Sequence, residues 1–420
     1  MIRRGVASNA GAWIPSAIPF FLLGFTYYLV SPPFVYRFLS EDSDLLDAAT
    51  RFFDPAYFDG IYFLDLAAIL VSFLFGYFLA RTLTKDKRSM VDYGSLQTIG
   101  PSIVAVSFGA LILLFVVTAR SSGASFFTGY STYNILVLGP LSTCAFLSAW
   151  FVNYFSRKQI RLLFLSFFLI CSVLLLGWGS RMFFVLSLMA LMLGLVSRNK
   201  KLMKSVSFYS SVVVLVVFMM VVGIVRQGGT EFGADSLIAV LFAEPLFTSV
   251  SGSLYLEHSG GRPTSGVPHD LLAAIIHFIP SIVFPGKIEL INAVTFDDNI
   301  ESPFGAKALL VSLYTNFGMF YPVFTASIGA YYGFLSKKAK NSLFYRATYF
   351  SALPVLTFLF FREGISTVIK VLLFNGLLVP LFIALILAWL LRRPTGTRES
   401  DPTRDFRESV VQGSSASLAT

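Results

Sequence analysis

Charge is scarce in this chain. Of 420 residues only 13% are Asp, Glu, Lys or Arg, while 55% are hydrophobic; a soluble domain carries about twice that share of charge to keep its surface in water. Two cysteines, Cys144 and Cys171, make no disulfide framework, and both fall inside apolar runs, where a thiol serves as a small hydrophobic group. With three histidines and no Cys/His spacing there is no sequence basis for a zinc site. The phosphate-loop signature and the GxGxxG segment are also missing, so ATP hydrolysis and nicotinamide redox chemistry have no support. Short alternating segments of the kind that close into a membrane barrel do not occur either.

Long apolar runs are what the chain has. About ten of them, each roughly 16 to 25 residues, are long enough to cross a ~30 Å hydrocarbon layer as a helix. They lie near 12–31, 61–80, 98–119, 135–155, 162–178, 182–197, 207–225, 308–335, 347–361 and 366–391. The expectation is an all-α polytopic membrane protein with about ten transmembrane helices, residues 1–391 forming one membrane domain. Residues 392–420, polar and rich in Ser and Thr, read as a disordered tail. The first run is too long for a signal peptide, and the VSPPFV that follows offers no small-residue cleavage site, so it is expected to stay as a first span.

Alternate segments carry the basic clusters: Arg3 and Arg4; Arg81, Lys85, Lys87 and Arg88; Arg157, Lys158 and Arg161; Arg198, Lys200, Lys201 and Lys204; Lys337, Lys338, Lys340 and Arg346; then Arg392, Arg393, Arg398, Arg404 and Arg407. The positive-inside rule places those segments, and with them both termini, in the cytoplasm. The net charge of +9 is then a topogenic signal and an attraction to membrane lipids, and implies no nucleic-acid partner. On the opposite, outer face lies the long segment 226–307. Its apolar stretches 235–256 and 270–284, interrupted by Pro, acid or His, read as interfacial or re-entrant helices.

Three arginines stand on that outer face, against the usual bias: Arg181 in GWGSRMFF, Arg226 in GIVRQGG and Arg362 in FFREGIS, with Lys370 two helical turns further on. A guanidinium pairs bidentately with phosphate oxygens and does not titrate, so this set suits a diphosphate. The long segment offers Glu231, Glu244, Glu257, His258, His269 and His277 as general bases for a hydroxyl nucleophile. His258 leads, because Glu257 and His258 in LEHSGGRP adjoin glycines and Arg262. Asp65, inside the second run, would bind substrate, pair with a basic residue or sit at the interface. Tyr or Trp near the outer face, for instance Trp178, Tyr255 or Tyr314, could stack on a sugar, and none of them is assigned. The outer acids Glu41, Asp42, Asp44, Asp297 and Asp298 are hard oxygen donors, yet such clusters are more often solvated, and neither a metal nor an organic cofactor is expected.

The GSR turn, the VRQGG ending, HFIPSIVFPGK (277–287), YTNFGMFYPVF (314–324) and the FREG turn together resemble the bacterial oligosaccharide repeat-unit polymerases, or O-antigen polymerases. The resemblance runs over roughly residues 160–391 and is weaker in the first four spans. It implies an inner-membrane glycosyltransferase of type C-like architecture that joins undecaprenyl-diphosphate-linked oligosaccharide repeats on the periplasmic face, in O-antigen or exopolysaccharide synthesis. By resemblance Arg181, Arg226 and Arg362 would grip the diphosphates and so be catalytic; the reading of the residues adds His258 as a catalytic candidate and Lys370, Arg262, Glu257 and Asp65 as substrate-binding candidates. A chain-length regulator and a flippase would be partners. O-antigen ligases share the general pattern, and a lipid-linked oligosaccharide flippase or transporter is the alternative from another class; the long one-sided loop and the absence of a repeat favour an enzyme.

Overall fold

The apolar runs fold as helices because the hydrocarbon layer leaves backbone groups no partner except one another. The computed structural model describes residues 13–39, 55–85, 100–121, 138–178, 181–199, 234–259, 261–279 and 308–390, with shorter pieces of 201–221 and 284–290. Every regular element among them is helical. In chain order these are α1 (Ile18–Phe25), which passes through a π turn (Thr26–Val30) into α2 (Ser31–Leu39); α3 (Gly60–Leu83); α4 (Gly100–Ser121); α5 (Leu138–Tyr154); α6 (Lys158–Gly177); and α7 (Arg181–Arg198). Then come α8 (Ala234–Ser259), α9 (His269–Phe278), α10 (Leu309–Phe317), α11 (Tyr321–Lys338), α12 (Leu343–Thr357), α13 (Leu359–Arg362) and α14 (Ile365–Ile369). A second π segment (Lys370–Leu378) leads into α15 (Val379–Leu390).

Among the described residues, seven stretches are long and apolar enough to span a bilayer: 18–38, 60–83, 102–121, 158–177, 181–198, 309–338 and 365–386. Of the remaining expected spans, α5 is a shorter helix of 17 residues, the run 347–361 is divided between α12 and α13, and most of 207–225 lies outside the described residues, as do 392–420. Leu64, Val71 and Phe75 of α3, Leu113 of α4 and Val173 of α6 are all exposed. Apolar surface on that scale needs lipid around it, and the chain is a multi-pass membrane protein.

One core forms around α12, which is buried along almost its whole length, with Phe21, Phe73, Tyr332, Phe360 and Phe361 packed about it. A second gathers Phe108, Trp150, Phe151, Phe164 and Leu175 from α4 to α6. Trp150 Nε1 donates to Thr348 Oγ1 at 3.1 Å and joins the two. Helices α3 and α11 pack closely, with backbones meeting at Gly76, Gly329 and Gly333. Such small-residue contacts replace the hydrophobic driving force that lipid removes.

The basic residues collect at one end. Arg198 Nη2 donates to the carbonyls of Val152 (3.1 Å) and Asn153 (2.7 Å), Arg346 Nε to that of Ala339 (3.1 Å), and Lys338 Nζ to that of Lys85 (2.9 Å). These cations satisfy carbonyls that helix ends leave without partners. Cys144 and Cys171 are buried free thiols.

The run 308–335, expected as one span, remains one, but its helix is interrupted. Gly318, at φ +53°, ends α10, and the segment before α9 docks on the break: Val267 N donates to Thr315 O (3.1 Å) and Met319 N to Thr264 O (3.2 Å). A side chain at Gly318 would meet Thr264 O at 2.5 Å and would strain the left-handed backbone as well.

Candidate functional site

At the end opposite the basic cluster, α8 lies across the bundle. It begins against α2 and the first π turn. That π turn carries Tyr27 and Tyr28, and its wider winding turns both toward α8: the Tyr27 hydroxyl donates to Leu241 O and the Tyr28 hydroxyl to Glu244 Oε1 at 2.9 Å. Glu244 precedes Pro245, and the helix continues through both.

Glu244 faces Arg362. Arg362 Nε stands 2.7 Å from Glu244 Oε1, an ion pair not aligned along the N–H bond, and Nη1 donates to Glu363 Oε1 at 2.7 Å. The same Nη1 lies 3.5 Å from Sδ of Met182. Met182 follows Arg181, the first residue of α7. Glu244 keeps 44% of its side chain exposed and Arg362 only 18%; the carboxylate is open to a ligand while the cation is held beneath it. Burial pushes Glu363 above the usual glutamate range, against the opposing pull of Arg362.

A second cluster holds the far end of α8. Arg262 donates from Nη1 and Nη2 to both oxygens of Asp59 (3.0 and 2.9 Å) and from Nε to Asp65 Oδ2 (3.2 Å). The hydroxyls of Tyr314 and Tyr321 donate to Asp65 Oδ1 at 2.7 and 2.8 Å. Asp59 also caps α3, its Oδ1 accepting from Tyr62 N at 2.7 Å. Every element that must meet here, α3, α10, α11 and the segment after α8, sends a group into this network. The hydrogen bonds from Arg262 hold Asp59 below the usual aspartate range.

Removing Arg262 leaves Asp65, 5% exposed, as a buried charge without its cation. Arg262→Ala is therefore expected to cost roughly 3 kcal/mol, read as a lower thermal midpoint in detergent. The sign of the pH effect follows from the depressed Asp59 carboxyl. It contributes stability present above the ordinary aspartate value near pH ~4 and lost as pH falls through its folded value, so the variant should lose less on acidification than the parent.

The residues singled out in the sequence thus separate into two groups. Arg362 comes together with Glu244, and Asp65 with Arg262, three residues beyond the end of α8. Glu257 is exposed in the last turn of α8. His258 is also in that turn, and its side chain lies outside the described residues, as do Arg226 and the acids Glu41, Asp42, Asp44, Asp297 and Asp298. A helical rise puts position 258 about 21 Å from position 244, so the two do not serve one reacting atom. Lys370 opens the second π segment. Trp178, Tyr255 and Tyr314 are all buried, at 5–6% exposure, and present no face for a sugar; their ring area went into the helix contacts instead. Among the described residues no three His, Cys, Asp or Glu side chains converge as a metal site would require.

Glu363, Tyr27, Tyr28 and Asp59 had no strong sequence signal. Glu244 had one, an acid followed by proline in the otherwise apolar LFAEPLF. No curated protein and no solved structure matches the chain. The family model for O-antigen polysaccharide polymerase Wzy matches residues 14–301. That stretch includes the first four spans, where the motifs are weaker, together with Glu244 and Arg262, and it ends before Arg362. With well over half of its length matched, the chain belongs to the O-antigen polysaccharide polymerase family.

Proposed function

We propose that the protein extends O-antigen or a related polysaccharide on the periplasmic face of the inner membrane, joining repeat units carried on undecaprenyl diphosphate. The topology that goes with this reading is ten spans with both termini cytoplasmic, in a type C-like arrangement. The clustered basic residues at one end and the Arg362 cluster at the other support that orientation.

The observation that carries the reading is the pairing of Glu244 with Arg362. In the reaction, a hydroxyl at the non-reducing end of one lipid-linked repeat attacks the anomeric carbon of the growing chain. The bond from that carbon to the diphosphate oxygen breaks, its electron pair leaves with the lipid diphosphate, and the hydroxyl proton must be accepted. Glu244, half-exposed and anionic beside a fixed cation, accepts the proton. Arg362, with Arg181 and Arg226, holds the departing diphosphate, whose growing charge a pre-placed guanidinium stabilises without a metal. Asp65 and Arg262 act through the loop, keeping α8 seated.

The test uses the purified full chain in nanodiscs with lipid-diphosphate-linked repeats. Wild type is expected to yield a ladder and free lipid diphosphate, and Glu244→Gln to slow turnover about 100-fold or more at unchanged folding. Arg181→Lys should also be impaired, because charge is kept and the bidentate fork is lost. Full activity in Glu244→Gln would remove the base assignment. A ladder built only on lipid A core would reassign the protein as a ligase.

A further inference from the structure

The π turn that carries Tyr27 and Tyr28 answers a gap in α8. In an α-helix the carbonyl of one residue accepts from the N–H four residues on, and the residue four on from Leu241 is Pro245, which has no N–H. The helix runs on through the proline, so the Leu241 carbonyl needs a donor from elsewhere. The Tyr27 hydroxyl is that donor. This one contact fills the proline gap and fastens the π turn to α8 three residues before Glu244.

The next residue reaches the carboxylate itself. Tyr28 is buried; its ring stacks on Phe361 with centroids 6.4 Å apart and meets Tyr27 edge-on at 4.8 Å. Its hydroxyl donates to Glu244 Oε1 at 2.9 Å, and the same oxygen stands 2.7 Å from Arg362 Nε. Among the described residues no hydrogen bond ends on Oε2. The two carboxylate oxygens are therefore unlike. Oε1 is engaged twice, by the tyrosine and by the guanidinium, whereas Oε2 keeps its lone pairs on a side chain that remains half-exposed.

Resting on the polymerase reading above, we propose that Tyr28 is a positioning residue for the transfer, pinning Oε1 of Glu244 so that Oε2 faces the acceptor sugar. Oε2 takes the proton of the attacking hydroxyl as the hydroxyl oxygen bonds to the anomeric carbon, and the electron pair of the broken carbon–oxygen bond leaves with the diphosphate. Arg362 must serve that diphosphate as well, so the buried, neutral tyrosine is the donor that stays on Oε1 throughout. Without it the carboxylate turns about its last bond and presents Oε2 only part of the time, which lowers turnover and leaves substrate binding as it was.

The test measures polymer formation by the full chain in nanodiscs, with lipid-diphosphate-linked repeats, for wild type, Tyr28→Phe, Glu244→Gln and the double variant. Tyr28→Phe keeps the ring and its contacts, so its thermal midpoint should stay near that of wild type while kcat falls about 10-fold and KM moves by less than about 2-fold. In the Glu244→Gln background the same substitution should cost less than about 2-fold, because no carboxylate is left to orient. Tyr28→4-aminophenylalanine, which puts an N–H donor on the same ring, should return kcat to within about 3-fold of wild type. Wild-type kcat in Tyr28→Phe would overturn the proposal. An equal loss with and without the Glu244 carboxylate, or no recovery with the amine, would overturn it too, by making the hydroxyl a structural group. If wild type makes polymer and any of these results is seen, this inference fails and the polymerase reading stands; if wild type makes no polymer, that reading fails and takes the inference with it.

Discussion

Arg362→Ala should abolish chain extension, with a loss of about 100- to 1,000-fold in turnover, while leaving the protein in the membrane at near wild-type level. The two halves of that expectation have separate causes. Catalysis suffers because Arg362 is the buried cation of the cluster, 2.7 Å from both Glu244 and Glu363, and no neighbouring lysine replaces its fork. Folding suffers less because the partner it abandons is able to discharge. Burial already pushes Glu363 upward and Arg362 opposes that push; without the arginine the carboxyl moves further up and takes a proton, which removes the unpaired buried charge. Glu244, being half-exposed, is solvated. Ladder length and turnover of Arg362→Ala, measured at matched membrane levels, check this. Arg362→Ala/Glu363→Gln should fold as well as the single variant and be equally inactive.

Gly329→Leu should leave almost no folded protein. A Cβ on Gly329 would stand 2.1 Å from Phe73 O, one on Gly333 2.2 Å from Tyr77 O, and one on Gly76 1.9 Å from Ala326 O. All three neighbours are backbone, so no side chain can swing aside; the helices α3 and α11 must separate. The cost exceeds about 3 kcal/mol, at the severe end for a single substitution. Separation also reaches the site, because Asp65 on α3 takes the hydroxyl of Tyr321 on α11. Gly109→Ala is the matched control. Its nearest neighbours are ring atoms of Phe167 at 3.5 Å, ordinary contact, and it should be tolerated. Monodispersity and thermal midpoint in detergent distinguish the two.

Class and membrane character were legible from the chain because a bilayer imposes one solution on each long apolar run. The interruptions were not. Gly318 looks like any glycine in a span until residues 264–267 hydrogen-bond to the break, and the π segments at 26–30 and 370–378 have no composition of their own. At the site, Arg362 was legible, as Arg181 was elsewhere, as a cation between apolar runs on the side where cations are rare. Glu244, despite its acid-proline setting, was one of six candidate acids and histidines, and His258 drew more weight from its neighbours in sequence. What favours Glu244 is the course of α8, unbroken at Pro245, which seats Glu244 on Arg362 and carries position 258 to the other end. That Asp65 would meet a basic residue was among the readings its sequence position allowed. That the partner is Arg262, 197 positions away, is tertiary information.

The most direct test of the central claim is the polysaccharide banding pattern of cells lacking this gene, complemented with wild type or with Arg362→Ala. The account predicts lipid A core capped by a single repeat in the deletion, a full ladder with wild type, and no ladder with the variant. If long chains instead accumulate on their lipid carrier while the core stays bare, the protein transfers finished chains. If single repeats collect on the cytoplasmic face, it moves them across the membrane, and the polymerase account is contradicted.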